Sequence, residues 1–192
     1  DFFVVSWVTF NKTNLPKRIF FPVRSTFFYD NWLGIPFSFF MGGYSMFPPI
    51  MRGKEKRSFN RYSMQRMVAE LKLKGTIVGF HPEGTRNKSE DLYSLLPPKP
   101  GAGELYRKAP HATILPIYIR GITNNLLHEF WFNWSIPKQK PIDVYFAPPP
   151  DCSDLLQQPP SRELHLQIAQ RCMDQIQAQI DIHRNKQHKS TL

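Results

Sequence analysis

The chain has 192 residues, of which 41% are hydrophobic and 14% aromatic, and its formal net charge is +10. A chain of this length can bury a real core, so we expect a single globular domain. No apolar run reaches the roughly 18 residues that a membrane-spanning helix needs. Cys152 and Cys172 indicate neither a disulfide framework nor a metal site. The basic balance favours an anionic membrane or a phosphorylated ligand over nucleic acid, because no nucleic-acid recognition motif is present.

The first 50 residues alternate apolar segments with proline and glycine. Residues 2–10 are apolar almost throughout, a pattern that fits a buried helix and a buried strand equally. Strands are predicted at 18–24, with Pro22 at an edge or end, and at 44–47. The aromatic segment 32–41 fits a core element and, alternatively, an interfacial membrane anchor, since Trp and Phe favour the headgroup region.

A helix is predicted from Ser58, as its N-cap, to about Lys74, with Gly75 ending it. Apolar residues recur at helical spacing and indicate its buried face. They are Met64, Met67, Val68 and Leu71. Residues 75–80, which are β-branched or apolar and bounded by glycine, predict a short buried strand after this helix.

The second half of the chain begins with a polar, proline-rich loop at 87–100, which we expect to be mobile on the surface. A glycine-led helix is predicted at 101–109. Strands are predicted at 113–121, where Pro116 indicates a bulge or edge, and at 142–146.

A long helix is predicted from Ser161, because apolar residues recur every fourth position and form one stripe that docks it on the rest of the chain. These residues are Leu164, Ile168, Cys172, Ile176 and Ile180. The polar tail from Arg184 is expected to fray.

Alternation of strands and helices predicts an α/β fold. We expect a single domain with a central mixed, mostly parallel β-sheet flanked by helices, and a C-terminal amphipathic helix. The α/β domain is assigned to residues 1–150, and residues 151–192 to a helical extension packed on it.

Residues 80–86 read Phe-His-Pro-Glu-Gly-Thr-Arg and follow the strand at 75–80 directly. Pro82 ends the strand, Gly84 permits a tight turn, and Arg86 offers a rigid fork of donors for a phosphate or carboxylate. In open α/β sheets, ligands bind at the carboxyl ends of strands. A strand-to-loop turn with a surface Glu–Arg pair is the plainer interpretation of Pro-Glu-Gly alone.

The whole run resembles the Phe-Pro-Glu-Gly-Thr-Arg motif of the glycerolipid acyltransferase family, in particular its 1-acylglycerol-3-phosphate acyltransferase type. This sequence departs from the motif by one residue, His81, between Phe80 and Pro82. Three further segments resemble family blocks in the same order, so that the resemblance covers roughly residues 1–122. They are the glycine-to-arginine stretch 43–52 with its atypical Pro48-Pro49, the Lys-Pro-Gly-Ala-Gly turn 99–103, and the apolar run 114–117 with a central proline.

The family's first block is Asn-His, four residues, then Asp, and Asp1 resembles its last residue, because an apolar segment follows it. Since the chain opens there without an initiator Met, we expect it to be truncated, with the His five positions upstream. The resemblance implies that His is the general base, that Asp1 orients it, and that Arg52 and Arg86 hold the acceptor's phosphate.

The resemblance also assigns the remaining residues of the motif to the acceptor site. It implies that Glu83 orients Arg86 or hydrogen-bonds the glycerol, and that Gly84 and Thr85 belong to the same site. It implies no metal and no redox cofactor. Acyl-CoA or acyl carrier protein is the acyl thioester donor and co-substrate.

The implied activity is transfer of an acyl group to the free hydroxyl of a lysophosphatidate-type or glycerol-phosphate acceptor in phospholipid synthesis, at an anionic membrane on its cytoplasmic face. Without the upstream His, the 192-residue chain itself is expected to be inactive. A non-catalytic, membrane-associated lipid-binding domain that has lost its base is the alternative, with His81 as a weaker candidate base. A basic nucleic-acid-binding domain is a third interpretation.

Overall fold

We describe the protein from a computed structural model, which covers residues 2–13, 18–24, 36, 45–51, 56–85, 87, 91, 93–122 and 142–190. The fold is α/β, as predicted, with small sheets that include parallel strands and with a long C-terminal helix. The helices are α1 (Phe2–Lys12), α2 (Arg57–Leu71), α3 (Pro100–Lys108), α4 (Ser153–Leu156) and α5 (Arg162–Ser190). The strands are β1 (Arg18–Phe20), β2 (Val23–Arg24), β3 (Pro49–Ile50), β4 (Thr76–Val78), β5 (Ile117–Arg120) and β6 (Asp143–Phe146).

The chain divides into two compact units. The amino-terminal unit comprises Phe2–Phe80 and Glu104–Ala112, and the carboxyl-terminal unit comprises His81–Gly103 and Thr113–Leu192. The boundary between the two units, Gly103 to Glu104, falls within α3. The predicted segment 32–41, apart from residue 36, lies outside the described residues.

Two pairs of parallel strands form the sheets described in the amino-terminal unit. β1 pairs with β4, with Ile19 opposite Ile77, and β2 pairs with β3, with Val23 opposite Pro49. Pro22 separates β1 from β2, because it has no N–H to donate to a ladder. The third described pair, β5 with β6, is antiparallel and belongs to the carboxyl-terminal unit.

The strand predicted at 44–47 is wrong over its described residues, 45–47: the ladder is formed by Pro49–Ile50 instead. We interpreted the prolines there as the end of a strand. Proline lacks only the donor, however, and it is tolerated at the first residue of an edge strand. Ser45 still contacts the neighbouring segment, since its carbonyl accepts the N–H of Phe21 at 2.7 Å.

Helix α2 carries the core of the amino-terminal unit. Met67 and Met64 are buried with Leu105, and half-buried apolar residues surround them, so the predicted stripe is confirmed. The surrounding residues are Ile50, Val68, Leu71, Val78 and Phe80. α2 packs against β3 and β4.

The predicted N-cap of α2 is wrong. The helix begins at Arg57, and Ser58 lies in its first turn. Side-chain bonds of Asn60 hold the start instead: its amide accepts the Met51 N–H and donates to the Met51 carbonyl, both at 2.8 Å. Gly75 is not the C′ residue, because α2 ends at Leu71; its φ of 81° turns the chain into β4.

Helix α5 packs against β5 in the carboxyl-terminal unit. The helix begins at Arg162, next to the predicted start at Ser161, and the Ser161 hydroxyl accepts the Leu164 N–H at 3.0 Å, as an N-cap does. All five residues of the predicted stripe are buried. The helix runs to Ser190 and so includes most of the segment from Arg184 that was expected to fray; Lys, Arg and Gln are good helix formers.

Met173, Ile176 and Ile180 of α5 form a buried cluster with Tyr118 of β5. Partly buried Tyr93, Leu95 and Tyr145 complete this cluster.

His183 is buried at the edge of this cluster, and its Nε2 lies 3.0 Å from the guanidinium of Arg120. Since a guanidinium only donates, Nε2 accepts and the ring proton is on Nδ1, which is buried without a hydrogen-bond partner among the described atoms.

Helices α3 and α5 approach each other very closely at Gly103. A Cβ at this position would lie 1.9 Å from the carbonyl oxygen of His165. Only glycine allows that approach, because the contact is with backbone rather than with a side chain that can move.

The short helix α4 was not predicted, because four residues show no periodicity. Arg171 of α5 holds α4 in place: its guanidinium donates to both carboxylate oxygens of Asp154, at 2.5 and 2.7 Å, and to the carbonyl of Asp151 at 2.7 Å.

The two cysteines near this contact, Cys152 and Cys172, are free thiols and buried. Burial raises the pKa of Cys172 to about 12, so this thiol stays protonated and unreactive.

Candidate active site

The candidate motif follows the carboxyl end of a parallel strand. β4 ends at Val78, and the motif residues begin two positions later with Phe80. The three residues of β4 are half-buried, whereas the sequence predicted a buried strand. The motif therefore follows the carboxyl end of a strand, as the sequence predicted, and α/β sheets commonly bind ligands at such ends.

Residues 81–84 form a tight turn. The N–H of Gly84 donates to the carbonyl of His81 at 2.9 Å, and Gly84 has a φ of 68°. A Cβ at Gly84 would also lie 3.2 Å from the Cγ of Lys99. Both the backbone angle and the close neighbour therefore favour glycine here.

The segment 96–99 holds this turn from the other side. The N–H of Lys99 donates to the carbonyl of Pro82 at 2.7 Å. The N–H of Leu96 donates to the Glu83 carboxylate. These bonds fix both the backbone before Glu83 and its side chain, so the carboxyl group has a defined position.

Glu83 is half-buried. Burial raises its pKa from the ordinary value of 4.5, and the bond from Leu96 lowers it in part. A carboxyl group with a raised pKa holds its proton more readily than one in water. In its ionised form, the carboxylate is stabilised by a nearby cation or by a hydrogen-bond donor such as a hydroxyl.

Of the six residues predicted for the site, the structure places three together. Glu83 and Gly84 lie in the turn 81–84 and Thr85 follows it directly, with Thr85 half-buried and Gly84 exposed. Asp1, Arg52 and Arg86 lie outside the described residues. His81, the weaker candidate base, is exposed.

Sequence reasoning missed that Leu96 and Lys99 support the turn. A signal was present at Lys99, which opens the segment that resembles the family's glycine-led turn. The bonds themselves involve backbone N–H groups, which any residue type provides, so no side-chain pattern marks Leu96.

An open groove of about 370 Å³ lies beside residues 95–98, between this segment and α5. The loop side is apolar, and the helix side is mostly polar. Its lining residues are Leu95, Leu96, Pro97, Pro98, Gln170, Met173, Asp174 and Gln177. This mixed lining is unlike an apolar tunnel for a long acyl chain.

In the described part of the chain, His, Cys, Asp and Glu side chains form no group of three that is close enough to share a metal ion. Over the same residues, no helix combines the length and apolar character needed to cross a membrane.

Comparison with known proteins adds independent information on the family. The family model described as acyltransferase matches residues 1–120, which is more than half of the 192-residue chain. Searches among curated proteins and among solved structures gave no significant match. The matched span includes the turn at Glu83 and the segment that supports it. On this evidence, the chain belongs to the acyltransferase family.

Proposed function

We propose that this acyltransferase moves a fatty acyl group from acyl-CoA or acyl carrier protein to the free hydroxyl of a lysophosphatidate-type or glycerol-phosphate acceptor. The observation that carries the proposal is the Pro-Glu-Gly-Thr-Arg run within the family match, of which Pro82, Glu83 and Gly84 lie in a defined turn after β4. The reaction serves phospholipid synthesis at the cytoplasmic face of an anionic membrane. A lysophosphatidate-type acceptor is preferred.

The chemistry is direct transfer between two bound substrates. The family's histidine base removes the proton from the acceptor hydroxyl, whose oxygen attacks the thioester carbonyl. The new C–O bond forms, the C–S bond breaks, and the thiol of the carrier leaves with a proton. Asp1 holds the imidazole in the useful tautomer, as the carboxylate does in a Ser-His-Asp triad.

Recognition of the acceptor depends on its phosphate. Arg52 and Arg86 bind it bidentately, which orients the hydroxyl towards the thioester. Glu83 orients Arg86 or accepts a hydrogen bond from the glycerol. Support for this role comes from the fixed position of its carboxyl group, which the Leu96 N–H contacts. A fixed carboxylate beside an arginine limits the guanidinium to fewer orientations.

Binding of a short-chain, soluble lysophosphatidate to the 192-residue chain tests this recognition by calorimetry. Arg86→Ala and Arg52→Ala should each weaken binding on the order of 10- to 100-fold, because each removes charge-assisted hydrogen bonds. Arg61→Ala is the matched control, since Arg61 is an exposed arginine on α2. Equal losses in all three variants would mean that only overall charge matters, and the proposed site would be wrong.

Acyl transfer itself is tested by release of free thiol from acyl-CoA in the presence of lysophosphatidate. Asp1→Asn should lower the rate of transfer by the full-length protein by several orders of magnitude, because the imidazole that Asp1 orients loses its useful tautomer. Transfer at an unaltered rate by this variant would contradict the role of Asp1. Phosphate-dependent binding without transfer by the unaltered full-length protein would favour a non-catalytic lipid-binding protein.

A further inference from the structure

Helix α1 exposes large aromatic side chains on one face. Trp7 is 60% exposed, Phe10 48% and Phe3 43%. Spacings of four and three residues place them on the same side of the helix. Val5 and Thr9 are buried and lie on the opposite side. The helix therefore packs by one face and presents aromatic rings to its surroundings with the other.

The charge of α1 is entirely positive. Residues 2–12 contain no acidic side chain, and Lys12 in the last turn holds its Nζ 5.9 Å from the centre of the Trp7 ring. An aromatic ring beside an ammonium group is the combination found at membrane interfaces, where the ring enters the headgroup region and the cation meets lipid phosphate.

The net charge of the whole chain belongs to the unit that contains α1. The amino-terminal unit has 14 Lys and Arg against 4 Asp and Glu, which gives +10. The remaining residues have 11 of each sign, which gives zero. This asymmetry favours an anionic surface as the partner of the amino-terminal unit and gives the carboxyl-terminal unit no such preference.

The two faces of α1 indicate how it meets a bilayer. One face is buried against its own unit, so only the aromatic face is available to lipid, and the helix lies in the plane of the interface.

We propose that the Phe3, Trp7 and Phe10 face of α1 docks on the surface of an anionic lipid bilayer, with basic groups of the amino-terminal unit against the lipid phosphates. This inference rests on the proposed function in one respect, since a bilayer would present a lysophosphatidate-type acceptor to the protein. It differs from the earlier sequence-based anchor, because that interpretation concerned residues 32–41.

Vesicle co-sedimentation tests the proposal. The probes are vesicles of phosphatidylcholine alone and vesicles with one third phosphatidylglycerol. The chain should bind the anionic vesicles, and the double variant Trp7→Ser/Phe10→Ser should bind them on the order of 100-fold more weakly, because two apolar side chains no longer leave water. Tyr62→Ser is the matched control, since Tyr62 is 52% exposed on α2 of the same unit.

Three results would overturn the proposal. The double variant could bind anionic vesicles as well as the unaltered chain, or both lipid compositions could bind equally. The double variant could also convert a dimer into a monomer in solution, which would mean that a second copy covers this face.

Two further measurements keep the outcomes distinct. Circular dichroism of the double variant checks that it is folded, and quenching of Trp7 by brominated lipid, in a chain whose other three tryptophans are Phe, measures insertion directly. Absence of this quenching would also overturn the proposal. Soluble lysophosphatidate binding should be unchanged in the double variant, so failure of membrane docking is separable from failure of the proposed function.

Discussion

The carboxyl group of Glu83 is controlled by two opposing influences within its own turn. Partial burial favours the protonated form, whereas the Leu96 N–H favours the carboxylate, and burial is the stronger. The folded protein therefore binds this proton more tightly than the unfolded chain does. Between the unfolded and folded pKa values, the fold loses stability as pH rises.

Glu83→Gln tests this pH dependence. The amide oxygen of Gln can still accept the Leu96 N–H, but it does not titrate. We expect the variant to gain stability relative to the unaltered chain as pH rises from below the ordinary Glu value of 4.5 towards neutrality. Urea unfolding at a series of pH values measures the difference, and a difference that is independent of pH would contradict the raised pKa.

At the scale of elements, the effect of a substitution in α5 on stability depends on the face of the helix that the residue occupies. Ile180 is 1% exposed within the Tyr118 cluster, and Ile182, two positions later, is 48% exposed. Ile180→Ala should lower the free energy of unfolding by about 2–5 kcal/mol, because it leaves a cavity. Ile182→Ala should change it by less than about 0.5 kcal/mol. Chemical denaturation compares them, and similar losses would mean that α5 is not seated on β5 as described.

The contact of α3 with α5 reverses a usual rule of helix stability. Replacement of an interior glycine by alanine normally stabilises a helix by about 1 kcal/mol. At Gly103 the new Cβ would meet the carbonyl oxygen of His165, so Gly103→Ala should destabilise the protein. Ala178→Gly at an exposed position of α5 measures the ordinary cost of glycine. Stabilisation by Gly103→Ala in thermal unfolding would show that the helices do not approach this closely.

At the scale of the whole molecule, the uneven charge predicts how salt affects binding. The Debye length, over which charges attract each other in salt solution, falls from about 10 Å at 0.1 M salt to about 3 Å at 1 M. High salt therefore suppresses electrostatic attraction to any polyanion. Aromatic insertion by α1 is not screened in this way. We therefore expect anionic vesicles to retain some protein at high salt and a short oligonucleotide to release it, as measured by co-sedimentation and fluorescence anisotropy. The reverse order would favour nucleic acid as the partner.

Sequence patterns predicted the long elements better than the short ones. The stripe from Leu164 to Ile180 marks α5 clearly, because five buried positions repeat over several turns. The strand Pro49–Ile50 and helix α4 were missed, since two and four residues show no period. The Ser58 cap failed because a local preference of about 1 kcal/mol is outweighed by packing and by the bonds of Asn60.

The candidate site was predictable in its motif but not in its support. Glu83, Gly84 and Thr85 were predicted from residue type and family resemblance, and the structure places the first two in the turn 81–84 and Thr85 directly after it. Leu96 acts through its backbone N–H across a loop, and such contacts depend on the path of the chain rather than on side-chain identity. The roles of all six predicted site residues remain predictions, and Asp1, Arg52 and Arg86 also lie outside the described residues.

The buried histidine of α5 has a consequence for magnetic resonance. The proton on Nδ1 of His183 is shielded from water by the fold, and Tyr93 and Tyr145 lie with their ring centres 6.1 and 5.3 Å from the imidazole. Most imidazole N–H protons exchange with solvent too fast to be observed, whereas a shielded one persists. Aromatic ring currents also displace its frequency from those of other histidines. A single nitrogen-correlated proton signal therefore reports, without any attached label, whether α5 is seated on its sheet.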